Sequence, residues 1–211
     1  MLEKRNVWLP VVLMIVFAIT RWPGLMPNNF SAAYALVFCA GVYFRNRAGW
    51  FVPLIIMAIT DLALNLLYYH VAPRWYQLGG YVAYLLIIAL GRKFKPSHSI
   101  LRLVGGGIVS AILFYLITNT FSWLLNPYNA PEYTRNLTGW LNALIFGTGA
   151  GAWPQTWEFF RNTLFSSGLF TALFAAAMKF SEHLESAAEK KAAETTEDTE
   201  DTEAEPEESK A

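Results

Sequence analysis

Long apolar blocks separated by short polar ones fill most of residues 7–181. They run Val7–Trp22, Phe30–Phe44, Trp50–Tyr69, Tyr76–Leu90, Ile100–Leu125 and Trp157–Phe180. A helix needs roughly 20 predominantly apolar residues to cross a bilayer, so blocks of this length and spacing predict six transmembrane helices. Trp8, Trp22, Trp50, Trp75, Trp123 and Trp157 fall at the block ends, where an aromatic belt meets the membrane surface. A further block, Leu137–Ala152, is shorter and ends in Gly147-Thr148-Gly149-Ala150-Gly151 before Pro154. Irregular backbone at membrane depth persists only where protein or water covers it. This block is therefore expected to be an interfacial or re-entrant segment on the outer side. If it crossed instead, the last helix would reverse. The predicted fold is an all-α integral membrane bundle of six transmembrane helices with that extra segment.

Charge sets the orientation. Before Glu182 there are 13 Lys and Arg against four acidic residues; from Glu182 onward there are three against 12, so a body near +9 carries a tail near −9. Lys4, Arg5, Arg45, Arg47, Arg92, Lys93, Lys95, Arg102 and Lys179 fall on alternate connections, and only Arg21, Arg74, Arg135 and Arg161 fall toward the other side. The positive-inside rule places the first group, and both termini, in the cytoplasm. A basic body of this kind follows from membrane topology and does not indicate nucleic-acid binding. The first block could pass for a signal peptide, but no small-x-small site follows it and Arg21-Trp22-Pro23 is a poor exit. It reads as a retained helix. The predicted organisation is a transmembrane domain, residues 1–181, and an acidic disordered cytoplasmic tail, residues 182–211. Its Glu/Thr/Ala-rich part, Ala187–Ala211, lacks apolar periodicity.

Asp61 lies in the middle of the third block. A carboxylate there is costly unless paired or wet, and such residues mark polar cavities or functional sites. Asn65 lies one turn on, on the same helical face. Thr118 and Asn119, Arg161 and Asn162, Asn28 and Asn29, and Tyr81 fall at similar or shallower depth on other helices. The inner half is apolar save for Cys39 and Ser110. A channel needs polar groups across the whole depth, whereas a one-sided basin predicts a solute pocket open to the outside. Asp61, Asn65, Asn119, Arg161 and Asn162 are the leading candidates for its lining, followed by Asn29 and Tyr81. Asp61 and Arg161 are expected either to pair or to contact opposite ends of a polar solute. The competing reading is that these groups hydrogen-bond helices together.

Small residues recur at spacing four in Ser31/Ala35/Cys39, Gly106/Ser110 and Gly168/Ala172/Ala176. Such rows let helices approach closely, for internal packing or for a membrane partner. No phosphate loop, dinucleotide fingerprint, metalloprotease motif or Gly-x-Ser-x-Gly elbow occurs. Cys39 is the single cysteine, and His70, His98 and His183 form no metal-ligand spacing. No cofactor and no enzymatic activity are expected.

Several stretches then bear on family. They are Asn29-Phe30-Ser31 leading to Ala40-Gly41-Val42-Tyr43-Phe44, Pro53-Leu54 through Thr60-Asp61-Leu62, and Tyr81–Gly91. Thr118-Asn119 with Trp123, Leu137-Thr138-Gly139 and Phe159-Phe160-Arg161-Asn162-Thr163-Leu164 complete the set. Over residues 7–181 the chain resembles a family of proposed bacterial transport proteins of unknown substrate. That family is similar to the substrate-binding S components of energy-coupling factor (ECF) transporters, which import vitamins and their precursors. The resemblance implies an S-component-like six-helix bundle in the bacterial cytoplasmic membrane with an outward-facing small-molecule pocket. It also implies a transmembrane coupling subunit with cytoplasmic ATPases as partner, besides the solute and the membrane lipids. Val7–Thr20 departs from the Ala-x-x-x-Ala docking pattern typical of S components, having only Ala18. Docking would then use the second or sixth helix, or the protein would act alone. A membrane scaffold whose polar groups are structural, and an enzyme acting on a lipid-linked substrate through Asp61, are the alternatives.

Overall fold

The computed structural model describes residues 8–44, 46–73, 75–127, 129–148 and 155–203. Among these the chain is all-helical. α1 is Trp8–Thr20, α2 Ala33–Tyr43, α3 Ala48–Ala63, α4 Leu78–Gly91, α5 Ile100–Leu125, α6 Leu137–Ile145 and α7 Thr156–Glu203. Three stretches, Gly49–Tyr68, Ile100–Leu125 and Thr156–Ala188, are long and apolar enough to cross a membrane. These are the helices of a membrane protein.

The helix ends follow from local sequence. Ser99 caps α5 by accepting a hydrogen bond from the Arg102 amide, and Asn126 ends it in the left-handed conformation at φ 39°. Its bounds match the fifth apolar block, and its 26 residues correspond to roughly 39 Å at about 1.5 Å per residue. α6 has nine residues, or roughly 14 Å by the same rise, too short for a hydrocarbon core of about 30 Å. Asn136 caps it by accepting from the Gly139 amide. The last residues of the Leu137–Ala152 block, 149–152, lie outside the described residues.

α2 forms the centre of the bundle. All 11 of its residues are buried, and it packs against α1, α3, α4, α5 and α7. Its closest neighbour is α4. A Cβ added at Gly41 would stand 2.4 Å from the Ile88 carbonyl oxygen, and one at Gly91 would stand 2.3 Å from that of Phe38. Only glycine allows this approach. The small-residue rows of the second and fifth blocks likewise face inward. Gly106 abuts Phe38 and Phe94, Gly107 abuts Thr171, and a Cβ added at Gly168 would stand 3.8 Å from Ile108.

α7 corrects the sequence expectation of a disordered tail from Glu182. It continues through the acidic segment to Glu203. Alanine, glutamate and lysine are good helix formers, and extending an existing helix avoids the unfavourable nucleation step. Residues 182–188 are exposed, so the helix leaves the bundle as it enters this segment. Residues 204–211 lie outside the described part.

Two irregular stretches shape one end of the bundle. α3 runs into a π-helical turn, Leu64–Tyr68, closed by the Tyr69 amide donating to the Leu64 carbonyl at 2.9 Å. The wider turn changes the register, so that Asn65 is buried while Leu66 and Leu67 face outward. Such turns are frequent at functional sites. A short 3₁₀ turn, Trp75–Gln77, precedes α4.

Candidate functional site

Asp61 projects from the last turns of α3 and pairs with Arg21, one residue beyond α1. Both side chains are mostly buried. Arg21 is held from several directions. One guanidinium nitrogen donates to Thr60 Oγ1 at 2.6 Å and to the Met57 carbonyl at 3.4 Å, while the other meets Asp61 Oδ1. The second carboxylate oxygen accepts from the Tyr81 hydroxyl at 2.8 Å. The end of α1, α3 and α4 are thus tied together by one charge-assisted cluster, stronger than neutral hydrogen bonds would make it.

The pair borders a cavity of about 470 Å³. Its walls come from the Thr20–Ala33 connection, the end of α3, the 3₁₀ turn, and Tyr84, Phe114 and Phe159. Two smaller spaces also reach Asp61. One of about 440 Å³ is lined by Ala58, Asn65, Trp75 and Tyr81, and one of about 280 Å³ by Gly79, Gly80, Thr118 and Ser122. Asp61 is therefore paired and also borders open space, and pairing is one of the conditions that make a carboxylate tolerable at this depth.

Asn65 and Gln77 form a second polar contact in the wall. Their amides bond reciprocally at 3.2 and 3.3 Å, joining the π turn to the 3₁₀ turn. Tyr34, Tyr84 and Phe114 supply an aromatic surface. Phe114 stacks with Tyr84 at 5.3 Å between centroids and lies 4.7 Å from Tyr34. The Thr20 hydroxyl accepts from the Ala32 amide at 3.0 Å and fixes the far side of the connecting loop.

Of the residues expected to line a pocket, Asp61, Asn65 and Asn29 border the large cavity, and Tyr81 borders the adjoining one. Asn29 adopts a left-handed conformation at φ 59°, which asparagine tolerates better than most residues. The expected Asp61–Arg161 pair does not form, because Arg21 occupies Asp61. Arg161 is exposed and lies over the Trp157 ring at 5.6 Å. Asn162 donates to the Asn28 carbonyl at 2.9 Å, so it braces the loop that walls the cavity. Asn119 donates to the Tyr115 carbonyl of its own helix at 2.8 Å and lines none of the three spaces. Its neighbour Thr118 lines one of them. Arg21, Thr60, Gln77 and Tyr34 went unassigned in the sequence reading. Arg21 carried the one usable signal, as a second cation at the same predicted depth as Arg161.

The other end of the bundle differs. Leu13, Leu36, Cys39, Tyr43, Pro53 and Phe174 are among the residues around a cavity of about 130 Å³ with almost no polar surface. Ser110, Ser166, Ser167 and Thr171 are fully buried there and toward mid-bundle. Ser167 donates to the Gly107 carbonyl at 2.7 Å and Ser110 to the Gly106 carbonyl at 2.9 Å. These small hydroxyls extend the polar inventory beyond Cys39 and Ser110: Ser167 joins α7 to α5, Ser110 and Ser166 bond within their own helices, and the Thr171 hydroxyl has no hydrogen-bond partner among the described residues.

Residues 2–189 match a family of unknown function, DUF6580. The chain belongs to the DUF6580 family. No curated protein and no solved structure matches it. The matched region of this DUF6580 protein spans the entire bundle and the start of the projecting helix, so the Arg21–Asp61 cluster and its cavity lie within the family region.

Proposed function

We propose that this protein binds a small solute for uptake across a membrane, with the cavity beside Arg21 and Asp61 as its binding site. The carrying observation is the cavity itself: about 470 Å³, bordered by a paired acid and base, amides and aromatic rings. Ligand pockets have this size and this mixture of apolar walls with a few placed polar groups.

In this reading six helices cross the membrane: α1 to α5 and α7. α2 is too short to span as a regular helix. It is walled in on every side by protein, and the irregular chain before it, Pro27 to Ser31, borders the cavity. Non-helical backbone is tolerated at membrane depth in that setting. α6 lies at the cavity end without crossing. The basic residues support a cytoplasmic assignment for the opposite end. His98 is held below the ordinary histidine pKa by partial desolvation and then by the charges of Arg102, Lys95 and Lys179. Those cations, from the α4–α5 connection, α5 and α7, therefore gather together. Arg92 donates to the Asn46 carbonyl at 2.7 Å at the same end. By the positive-inside rule the cavity then faces outward, as in the S components that the sequence resembles. No ATP-binding motif is present in this chain, so energy from ATP would come from a transmembrane coupling subunit with cytoplasmic ATPases.

The test is uptake together with ligand-dependent thermal stability in Asp61→Asn and Arg21→Ala. Both variants are expected to lose uptake and the stabilisation given by a retained solute. Unchanged uptake in both would sink the reading.

One observation favours a scaffold instead: the acidic part of α7 projects from the bundle as a continuous helix. A recruiting scaffold requires that helix. Truncation after Ala187 is expected to leave solute binding intact, and loss of function on truncation with binding retained would favour the scaffold.

A further inference from the structure

Resting on the pocket reading above, a chemical class for the ligand follows from how the cavity's polar groups are engaged. Its charged lining residues, among those described, are Arg21 and Asp61, and they neutralise each other. Arg21 also holds Thr60 and the Met57 carbonyl, and Asp61 also accepts from Tyr81. An anion or cation entering this space would have to take one partner and strand the other away from bulk water, which is strongly unfavourable.

Asn65 and Gln77 are different. They are neutral, and at 3.2 and 3.3 Å their mutual bonds are longer than the usual N–H···O distance of about 2.9–3.0 Å. A side-chain amide carries donor and acceptor side by side. A ligand with an adjacent N–H and C=O can therefore take the place of either amide within this reciprocal pair. Tyr34, Tyr84 and Phe114 add flat apolar surface in the same cavity, suited to offset or edge contact with a ring.

We propose that the cavity takes an uncharged planar aromatic molecule bearing a carboxamide or lactam group, its amide edge on Asn65 and Gln77 and its ring against Tyr34, Tyr84 and Phe114. Arg21 and Asp61 keep the loops and helices around it closed and supply no charge to the ligand.

Three matched probes test this on the full-length protein in lipid nanodiscs: nicotinamide, its anionic counterpart nicotinate, and the cation 1-methylnicotinamide. Tryptophan fluorescence and thermal unfolding report binding. Nicotinamide is expected to bind and to raise the unfolding temperature. Gln77→Met, which keeps the side-chain length but carries no amide donor, acceptor or charge, is expected to weaken it roughly tenfold, the effect of losing one or two neutral hydrogen bonds. Asn65→Ala should act in the same direction. Should it fail to fold, Gln77→Met alone carries the comparison. Equal or tighter binding of nicotinate or 1-methylnicotinamide overturns the uncharged class and leaves the pocket reading standing. Failure of all three, with a small molecule that is charged or lacks an amide co-purifying from native membranes, also overturns the class alone. Failure of all three with no co-purifying molecule overturns the pocket reading and this inference with it.

Discussion

At the Asp61 end, helices α1, α3 and α4 leave a cavity of about 470 Å³ bordered by a salt bridge, paired amides and aromatic rings. At the Cys39 end, α1 and α3 together with α2 and α7 close to a space of about 130 Å³ that is almost wholly apolar. The difference originates in the backbone. Around Gly41 and Gly91, α2 and α4 meet carbonyl against Cα, and glycine removes the side chains that would hold them apart. Toward Asp61 the regular helices give way to a π turn, a 3₁₀ turn and the Pro27–Ser31 loop. Those stretches cannot pack as cylinders, and polar side chains fill the space between them. Close packing stabilises one end, while hydrogen-bonded irregularity keeps the other open.

The comparison breaks most severely at its tight end. Gly91→Leu would force a side chain into the Phe38 carbonyl, 2.3 Å from the new Cβ. Overpacking usually costs about 1–3 kcal/mol, and a clash with backbone lies at or above the top of that range. Loss of folded protein, read as yield and thermal unfolding in detergent, is the expected outcome. Persistence of wild-type stability would show that α2 and α4 do not meet as described.

At the open end, Asp61→Leu leaves Arg21 mostly buried without its counter-charge. A cost of about 3 kcal/mol is expected from the behaviour of broken buried pairs. The double variant Arg21→Met/Asp61→Leu is expected to recover most of that stability, since paired apolar replacements are often neutral. Recovery of stability without recovery of solute retention would separate the structural role of the pair from its role in the site. Gln77→Ala removes a weaker tie and should cost about 1 kcal/mol, with a larger fractional effect on solute affinity than on unfolding temperature. Arg161→Ala is the smallest expected change. An exposed cation–π contact is worth roughly 0.5–1 kcal/mol, and solute binding should be unaffected. A substantial binding loss in Arg161→Ala would return that residue to the site and favour the pairing first expected from sequence.

The apolar blocks foretold the helices well, because hydrophobic length is a local property of the chain. α5 begins at Ile100 and ends at Leu125, where the block does, and the glycines after Phe146 mark the end of α6. That Asp61 needs a partner was also legible, since a lone carboxylate amid apolar residues is costly unless paired. Its partner was not. Arg21 and Arg161 lie at similar predicted depth, and depth says nothing of rotation about a helix axis. One residue of rotation likewise separates Asn119, which bonds within its own helix, from Thr118, which lines a cavity. Gln77 stayed hidden because its role depends on the π turn that buries Asn65. The acidic tail was misjudged for a different reason: composition weighed charge and low hydropathy, while the chain obeyed helix propensity and the helix already running into it.

Native mass spectrometry tests the central claim most directly, on wild-type and Asp61→Asn protein released gently from the membranes in which they were made. The account predicts a small molecule held by the wild type and absent, or much reduced, in Asp61→Asn at equal folded yield. Wild-type protein repeatedly free of any small molecule, and identical to Asp61→Asn in every bound species, would contradict it.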